Sequence, residues 1–146
     1  MGETAANSAQ SDESGTGLFA VRPTKKARQE CRDLFRAERE TLWVISQLRL
    51  LMHWPLDEMQ QEQLGSNLDF SKVHHRNETF FELRLDDARL HQRNLRVFFW
   101  VDDGHRTIWI VHAYWKKTDR LDDAVKTRVA RRVRALRGGP QTGRRI

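Results

Sequence analysis

Cysteine is nearly absent from this chain. Of 146 residues only Cys31 carries a thiol, which excludes an internal disulfide framework and any zinc cluster built on cysteines. Cys31 sits on an apolar helical stripe, the place of an inert core thiol rather than a reactive one. Long apolar runs are missing too. No stretch approaches the roughly 20 residues needed to span a bilayer, and the N-terminus lacks the basic start and apolar core of a secretory signal. A soluble, cytoplasmic protein with no membrane partner is expected. Metal-ligand spacing is also lacking: His74 and His75 are adjacent, so on a strand their side chains diverge, and no carboxylate or cysteine accompanies them. No metal site and no small-molecule cofactor are expected. The link from Gly65 to Thr79 reads as an irregular, exposed segment.

Prolines number only three, and each marks an element boundary. Pro23 ends a short first strand, Leu18 to Arg22. Thr24 is then the N-cap of a long helix reaching about His53, with Ala27, Cys31, Leu34, Leu42, Ile45, Leu48 and Met52 recurring at helical spacing as its core stripe. Pro55 opens a second, short helix, Leu56 to Leu64, stopped by Gly65. Pro140, after Gly138 and Gly139, closes a final helix from Asp119 to Arg137. Leu121, Val125, Val129, Val133 and Leu136 share one side of it. Lys126, Arg128, Arg131, Arg132, Arg134 and Arg137 surround the rest. The ends differ from this middle. Residues 1–17 are small and polar and are expected to be disordered, and residues 138–146 form a basic, flexible tail. One domain, residues 18–137, lies between them.

What the chain has in quantity is alternating strand pattern. Phe80 to Asp86 places Phe81, Leu83 and Leu85 on one face and Glu82 and Arg84 on the other. Leu95 to Val101 puts Leu95, Val97, Phe99 and Val101 together, opposite Arg96, Phe98 and Trp100. Thr107 to Trp115 is rich in β-branched and aromatic residues. Asp103-Gly104 predicts a two-residue hairpin with positive φ at both positions. That register sets Phe99 across from Ile108, Val97 from Ile110 and Leu95 from His112, making one apolar face. The other face carries Arg96, Phe98 and Trp109, joined by Glu82 and Arg84, with Lys116 and Lys117 leaving nearby. The expected fold is α+β: an antiparallel sheet with two N-terminal helices and one C-terminal helix.

The net charge of +6 is unevenly spread. From His105 to Ile146 there are 12 Lys/Arg against 3 Asp/Glu, whereas residues 1–104 carry 14 against 17. A basic half of this kind suits a polyanion, through salt-sensitive contacts with phosphates. Solvated surface charge is the bland alternative. The final helix lacks the broad apolar face that interfacial membrane insertion requires.

Three segments together resemble a known family. Glu82-Leu83-Arg84, Arg96-Val97-Phe98-Phe99 and His112-Ala113-Tyr114-Trp115-Lys116-Lys117-Thr118 resemble the ELR, R-h-h-h and H-x-x-x-K-K-T signatures of phage-derived Gp49-like proteins. These belong with the HigB toxins of the RelE/ParE superfamily. The resemblance spans roughly residues 18–136 and is strongest over the strands. It implies a compact RelE-like domain that cleaves messenger RNA, usually on the ribosome. It also implies a cognate antitoxin, encoded alongside and expected to be a helix-turn-helix protein. Two departures stand out: Arg89 to Asn94 replaces a short glycine-containing turn, and Trp115 replaces a smaller apolar residue. Superfamily members that inhibit gyrase, like ParE, supply a non-enzymatic alternative, as does a phage-derived module that merely binds nucleic acid or protein.

RNA cleavage without a metal requires a base for the ribose 2′-hydroxyl, positive charge on the phosphorane and an acid for the leaving 5′-oxygen. Arg84 and Arg96 offer planar forks for phosphate, and Lys116 and Lys117 act as point charges whose pKa falls in crowded positive surroundings. Glu82 is either an alternative base or the group that orients Arg84. His112 is a candidate by motif, although the register points it at Leu95 as a structural histidine. Trp109, Tyr114 and Trp115 are candidates for stacking on bases or for core packing. Arg128, Arg131 and Arg132 are candidate RNA contacts.

Overall fold

A computed structural model describes residues 17–35, 37–86, 90, 93–117 and 122–139. The expected tails lie outside these residues except at Gly17, Gly138 and Gly139, and so do Thr118 and Leu121.

Five strands form one mixed sheet in the order β1-β5-β4-β3-β2: β1 Ala20–Pro23, β2 Asp69–His75, β3 Glu78–Asp86, β4 Asn94–Asp102 and β5 Thr107–Lys116. Antiparallel pairing joins β2 through β5, and β1 adds parallel to β5 from Ala20↔Thr107 to Pro23↔Ile110. The short first strand makes the sheet mixed where an antiparallel one was expected. Helices cover both faces. On one side α1 (Lys25–Leu34), α2 (Glu38–Arg49), a 3-10 turn (Leu50–His53) and α3 (Glu58–Leu64) pack over Leu83, Leu85, Leu95, Val97, Phe99, Ile108 and Ile110. On the other, α4 (Asp123–Gly138) lays Val125, Val129, Ala130 and Val133 on Phe80, Phe98 and Val111. Burial of a full aliphatic side chain contributes about 1.5–3 kcal/mol, so both layers are held mainly by these stripes.

The expected long helix from Thr24 to His53 is broken. Thr24 does cap it, its Oγ1 accepting from the Ala27 N–H at 3.0 Å. At Phe35, however, the backbone turns extended (φ −105°, ψ 130°), and the ring buries edge-on against Trp115. That break resets the helical phase. Glu40, Val44 and Leu51 now face inward, while Leu42 and Ile45, expected in the core, are exposed. The short helix begins at Glu58 rather than Leu56, with Asp57 as N-cap, and ends as expected at Gly65 (φ +67°), where left-handed backbone favours glycine.

The link from Gly65 to Thr79 is largely strand. Residues Asp69–His75 form β2, tied to β3 by a two-residue hairpin in which Arg76 and Asn77 both take positive φ (52° and 66°). This is the type I′ geometry expected at Asp103-Gly104. There the chain instead makes a four-residue turn, Asp103 to Arg106, with Arg106 at φ 46°. Asp102 holds that turn: its carboxylate accepts from the His105 N–H at 3.2 Å and meets the His105 ring at 2.9 Å. Asp102 therefore pairs with Thr107, not His105. A bulge follows, since Phe99 pairs with Ile110 but Phe98 with His112.

Candidate functional site

The two register changes decide which side chains share a face. A shift of two residues at the turn preserves the alternation, but the extra residue Val111 at the bulge inverts it for the rest of β5. His112 and Tyr114 thereby move to the α4 face, and Trp115 moves to the core face. The expected pairing of His112 with Leu95 is corrected: His112 stands beside Phe98, and Leu95 faces Trp115. Trp115 packs on Phe35, and the Arg93 guanidinium lies 4.0 Å over its ring. It is thus on the side of the sheet opposite Arg96, away from any base that Arg96 would position. Trp109 pairs with Trp100 and is buried.

Beyond the stripe of α4, the same face carries an ionic network. Arg84 and Arg96 are direct cross-strand partners, and Arg96 in turn pairs with Tyr114. Arg84 binds Asp69 of β2 in two places, Nε to Oδ2 at 3.0 Å and Nη2 to Oδ1 at 2.9 Å. Its Nη1 donates to Ser71 Oγ at 3.1 Å and Glu82 Oε1 at 3.2 Å. Arg96 Nη1 donates to Asp86 at 2.8 Å, and its Nε lies 3.5 Å from Glu82 Oε2 without a well-formed hydrogen bond. Two guanidinium groups thus alternate with three carboxylates, so the expected cationic surface is locally neutralised. Arg96 and Glu82 are buried; Arg84 is partly open to solvent. The hydrogen bonds from Arg84 hold the Asp69 carboxyl below its ordinary range.

Aromatic rings wall the network. Phe98, His112 and Tyr114 form a stacked layer, with Tyr114 nearly parallel to Phe98 at 6.1 Å and to His112 at 5.6 Å. Burial, reinforced by the Glu82 charge, pushes the Tyr114 phenol above its usual value. Lys116, opposite Asn94, lies one row further out, and Lys117 is exposed. Glu82, Arg84, Arg96 and Tyr114 are brought together with Lys116 at their margin.

His112 belongs to a different construction. β1 ends at Pro23, so the Val111 carbonyl and the Ala113 N–H on the outer edge of β5 have no strand partner beyond it. Arg132 Nη1 donates to the Val111 carbonyl at 2.8 Å, and Glu30 Oε1 accepts from the Ala113 N–H at 3.3 Å. Glu30 also meets His112 Nδ1 at 2.9 Å and Arg132 Nη2 at 2.8 Å. Side chains of α1 and α4 thus close the sheet edge by pairing its outer backbone groups, while the buried Nε2 of His112 has no hydrogen-bond partner among the described residues. Burial alone would raise the Glu30 carboxyl, yet the hydrogen bonds and charges of His112 and Arg132 bring it down to about 2. Arg132 is engaged in this closure. Arg128 and Arg131 are exposed on α4, with no ion-pair partner among the described residues. The buried carboxylate of Glu78 accepts from Arg134 and Arg137 and ties the last turns of α4 to the β2–β3 hairpin.

The histidines of the Gly65–Thr79 link diverge across β2. His74 meets Thr79 Oγ1 at 2.9 Å and His75 meets Thr127 Oγ1 on α4 at 3.1 Å. Among the described residues no group of three or more His, Cys, Asp or Glu stands ready to hold a metal ion, and no helix is long and apolar enough to cross a membrane.

No protein-family model matches this chain, and no curated protein matches it by sequence. Solved structures do. The archaeal RelE–RelB complex from Pyrococcus horikoshii OT3 contains a chain similar to this one at 15% identity and a TM-score of 0.47, over 67% of this chain and 94% of that one. The toxin–antitoxin complex RelBE2 from Mycobacterium tuberculosis gives 18% identity and a TM-score of 0.44, over 68% and 92%. At these values neither likeness extends to what the two complexes do.

Asp69, Asp86 and Glu30 were not anticipated as partners of the site. Asp86 was within reach of sequence reasoning, since it sits two residues beyond Arg84 on the same strand face. Asp69 was not, because β2 itself was unrecognised.

Proposed function

We propose that this chain is the toxin of a type II toxin–antitoxin pair, a metal-independent endonuclease that cleaves ribosome-bound messenger RNA. One observation carries the reading: Glu82 and Arg84, distant in sequence from Arg96 and Tyr114, meet them as cross-strand neighbours on one face of the sheet, with Arg84 partly open to solvent. These are residues of the three motifs that resemble the Gp49-like and HigB proteins. Arg84, with one side toward solvent, is the phosphate ligand. Binding requires it to exchange Asp69 for the phosphate, a fork-to-fork replacement that conserves two charge-assisted hydrogen bonds. Arg96, fixed by Asp86 and Glu82, supplies preorganised positive charge behind it. Glu82 lies between the two arginines and serves either as base for the 2′-hydroxyl or as the group that orients Arg84. Lys116 at the margin and exposed Lys117 supply further positive charge, and one of them serves as acid or base in the reaction. Tyr114 offers a ring edge for a base. An antitoxin covers this face, matching the arginines with acidic side chains.

A second reading rests on the carboxylates. Because both arginines already have partners, the network also suits a purely structural role, leaving the free Arg128 and Arg131 to bind nucleic acid or a protein without cleavage, as a gyrase inhibitor would. Purified protein in a reconstituted translation reaction separates the two. New messenger RNA ends that require ribosomes support the nuclease, whereas intact messenger RNA with a folded protein removes it and leaves the binder.

A further inference from the structure

The break at Phe35 leaves a consequence on the outer side of α2. With Val44 and Glu40 turned into the core, the opposite side of the helix presents Glu38, Leu42, Ile45 and Arg49, all exposed. At 3.6 residues per turn these four fall within about 60° of arc and along about 16 Å of the helix axis. Leu42 and Ile45 are 58% and 37% exposed, two of the four large hydrophobic residues most open to solvent among those described. Glu38 and Arg49 have no ion-pair partner among the described residues.

The order along this stripe is acidic, apolar, apolar, basic. It is symmetric about the midpoint between Trp43 and Val44, with charges of opposite sign at equal distances. A two-fold axis through that midpoint, setting α2 antiparallel to a second α2, places Leu42 against Ile45 of the partner copy. The same axis places Glu38 against Arg49 of the partner copy, at both ends of the contact. Isologous pairing requires self-complementarity of this kind, and a parallel pairing would instead oppose like charges.

We infer that α2 is the contact surface of a weak homodimer, with a second copy of this chain as occupant of the Leu42–Ile45 stripe. The surface lies on the layer of helices that covers one side of the sheet, while Arg84 and Arg96 lie on the other. Both candidate sites of the dimer therefore remain open, and the inference stands independently of the proposed RNA chemistry. Specific stable interfaces bury about 1,200–2,000 Å². A pair of three-turn helices falls below that range, so association depends on concentration.

Sedimentation of the full chain over a wide concentration range tests this. The wild-type mass is expected to rise from 17.3 kDa toward twice that value. Glu38→Arg alone and Arg49→Glu alone each set like charges against one another, and each is expected to remain monomeric at concentrations where wild type is dimeric. Mixing the two variants restores both opposite-charge pairs, and the dimer returns only in the mixture. Because both positions are exposed, the circular dichroism spectrum stays that of wild type and shows that the variants are folded, with a small fall in melting temperature because each reversal opposes the helix dipole at one end of α2. A wild-type protein that stays monomeric throughout overturns the inference, including the case in which an antitoxin covers the stripe. So does a pair of single variants that dimerise as wild type does, or a mixture that stays monomeric.

Discussion

Arg84 and Arg96 stand directly opposite one another on β3 and β4, a like-charge pair that is tolerated because Asp69, Glu82 and Asp86 surround it. The two arginines are not equivalent. Arg96 is buried with Glu82, whereas Arg84 is partly solvated and paired with exposed Asp69. Removing a buried ion partner leaves an uncompensated charge. Arg96→Ala, which removes a buried guanidinium, is therefore expected to lower unfolding stability by about 3 kcal/mol, and Arg84→Ala by less, since it takes a hydrogen bond from buried Glu82 but its other charged partner, Asp69, is open to solvent. Urea unfolding of the two variants checks the order; equal losses would contradict it.

Asp69 competes with phosphate for the Arg84 fork. Asp69→Asn removes one negative charge and the bidentate partner while keeping the shape of the side chain. RNA affinity is expected to rise several-fold, with a steeper dependence on salt. Fluorescence anisotropy with a short single-stranded RNA measures both. An unchanged affinity would mean that Arg84 does not meet phosphate.

The edge closure at Glu30 carries a pH signature. Its carboxyl is lowered from 4.5 to about 2 in the folded protein, so the folded form binds fewer protons than the unfolded form between those values. The resulting stabilisation is complete above pH 4.5 and is lost as pH falls toward 2, a contribution on the order of 2–3 kcal/mol. Glu30→Gln is expected to lower stability at neutral pH and to flatten its decline over that acid window. Denaturant titrations at pH 7, 4.5 and 3 give the slope.

Burial, aided by the Glu30 charge, pushes the Cys31 thiol from 9.0 to about 11. At a given pH the thiolate is then about a hundredfold scarcer than for a free cysteine, and the thiolate is the reactive form. Native protein is expected to react with a disulfide reagent at least that much more slowly than unfolded protein. Rapid labelling of the folded chain would contradict this.

The strands that carry the candidate site were readable because alternation of period two survives a register error of two residues. Glu82, Arg84 and Arg96 share a face through the β3–β4 register, which the β4–β5 turn does not touch. A single bulged residue does not preserve that parity, and nothing in Val111-His112 announces it, so His112, Tyr114 and Trp115 exchanged faces. β2 was hidden for another reason. Its inward positions hold Phe70 and Val73 among Asp, Ser, Lys and His, too few apolar residues to mark a period, and its turn is Arg76-Asn77 rather than a glycine pair. The core stripe of the first helix failed beyond Phe35, where burial of one aromatic ring against Trp115 outweighed helical continuity. Helix ends marked by Thr24, Gly65 and Gly139 were legible within a few residues, because a cap is a local interaction.

The central claim is that Arg84 and Arg96 form the reaction centre of an RNA endonuclease. Single-turnover cleavage of ribosome-bound messenger RNA by wild type, Arg84→Lys and Arg84→Ala tests it most directly, with the chemistry of the new ends determined alongside. Attack by the 2′-oxygen breaks the bond from phosphorus to the 5′-oxygen, so wild type should leave 2′,3′-cyclic phosphate and 5′-hydroxyl ends. Arg84→Ala should slow the reaction by roughly 10²–10³ while remaining folded, and Arg84→Lys should recover only part of the rate. Absence of cleavage by folded wild type, or an undiminished rate in Arg84→Ala, would contradict the claim.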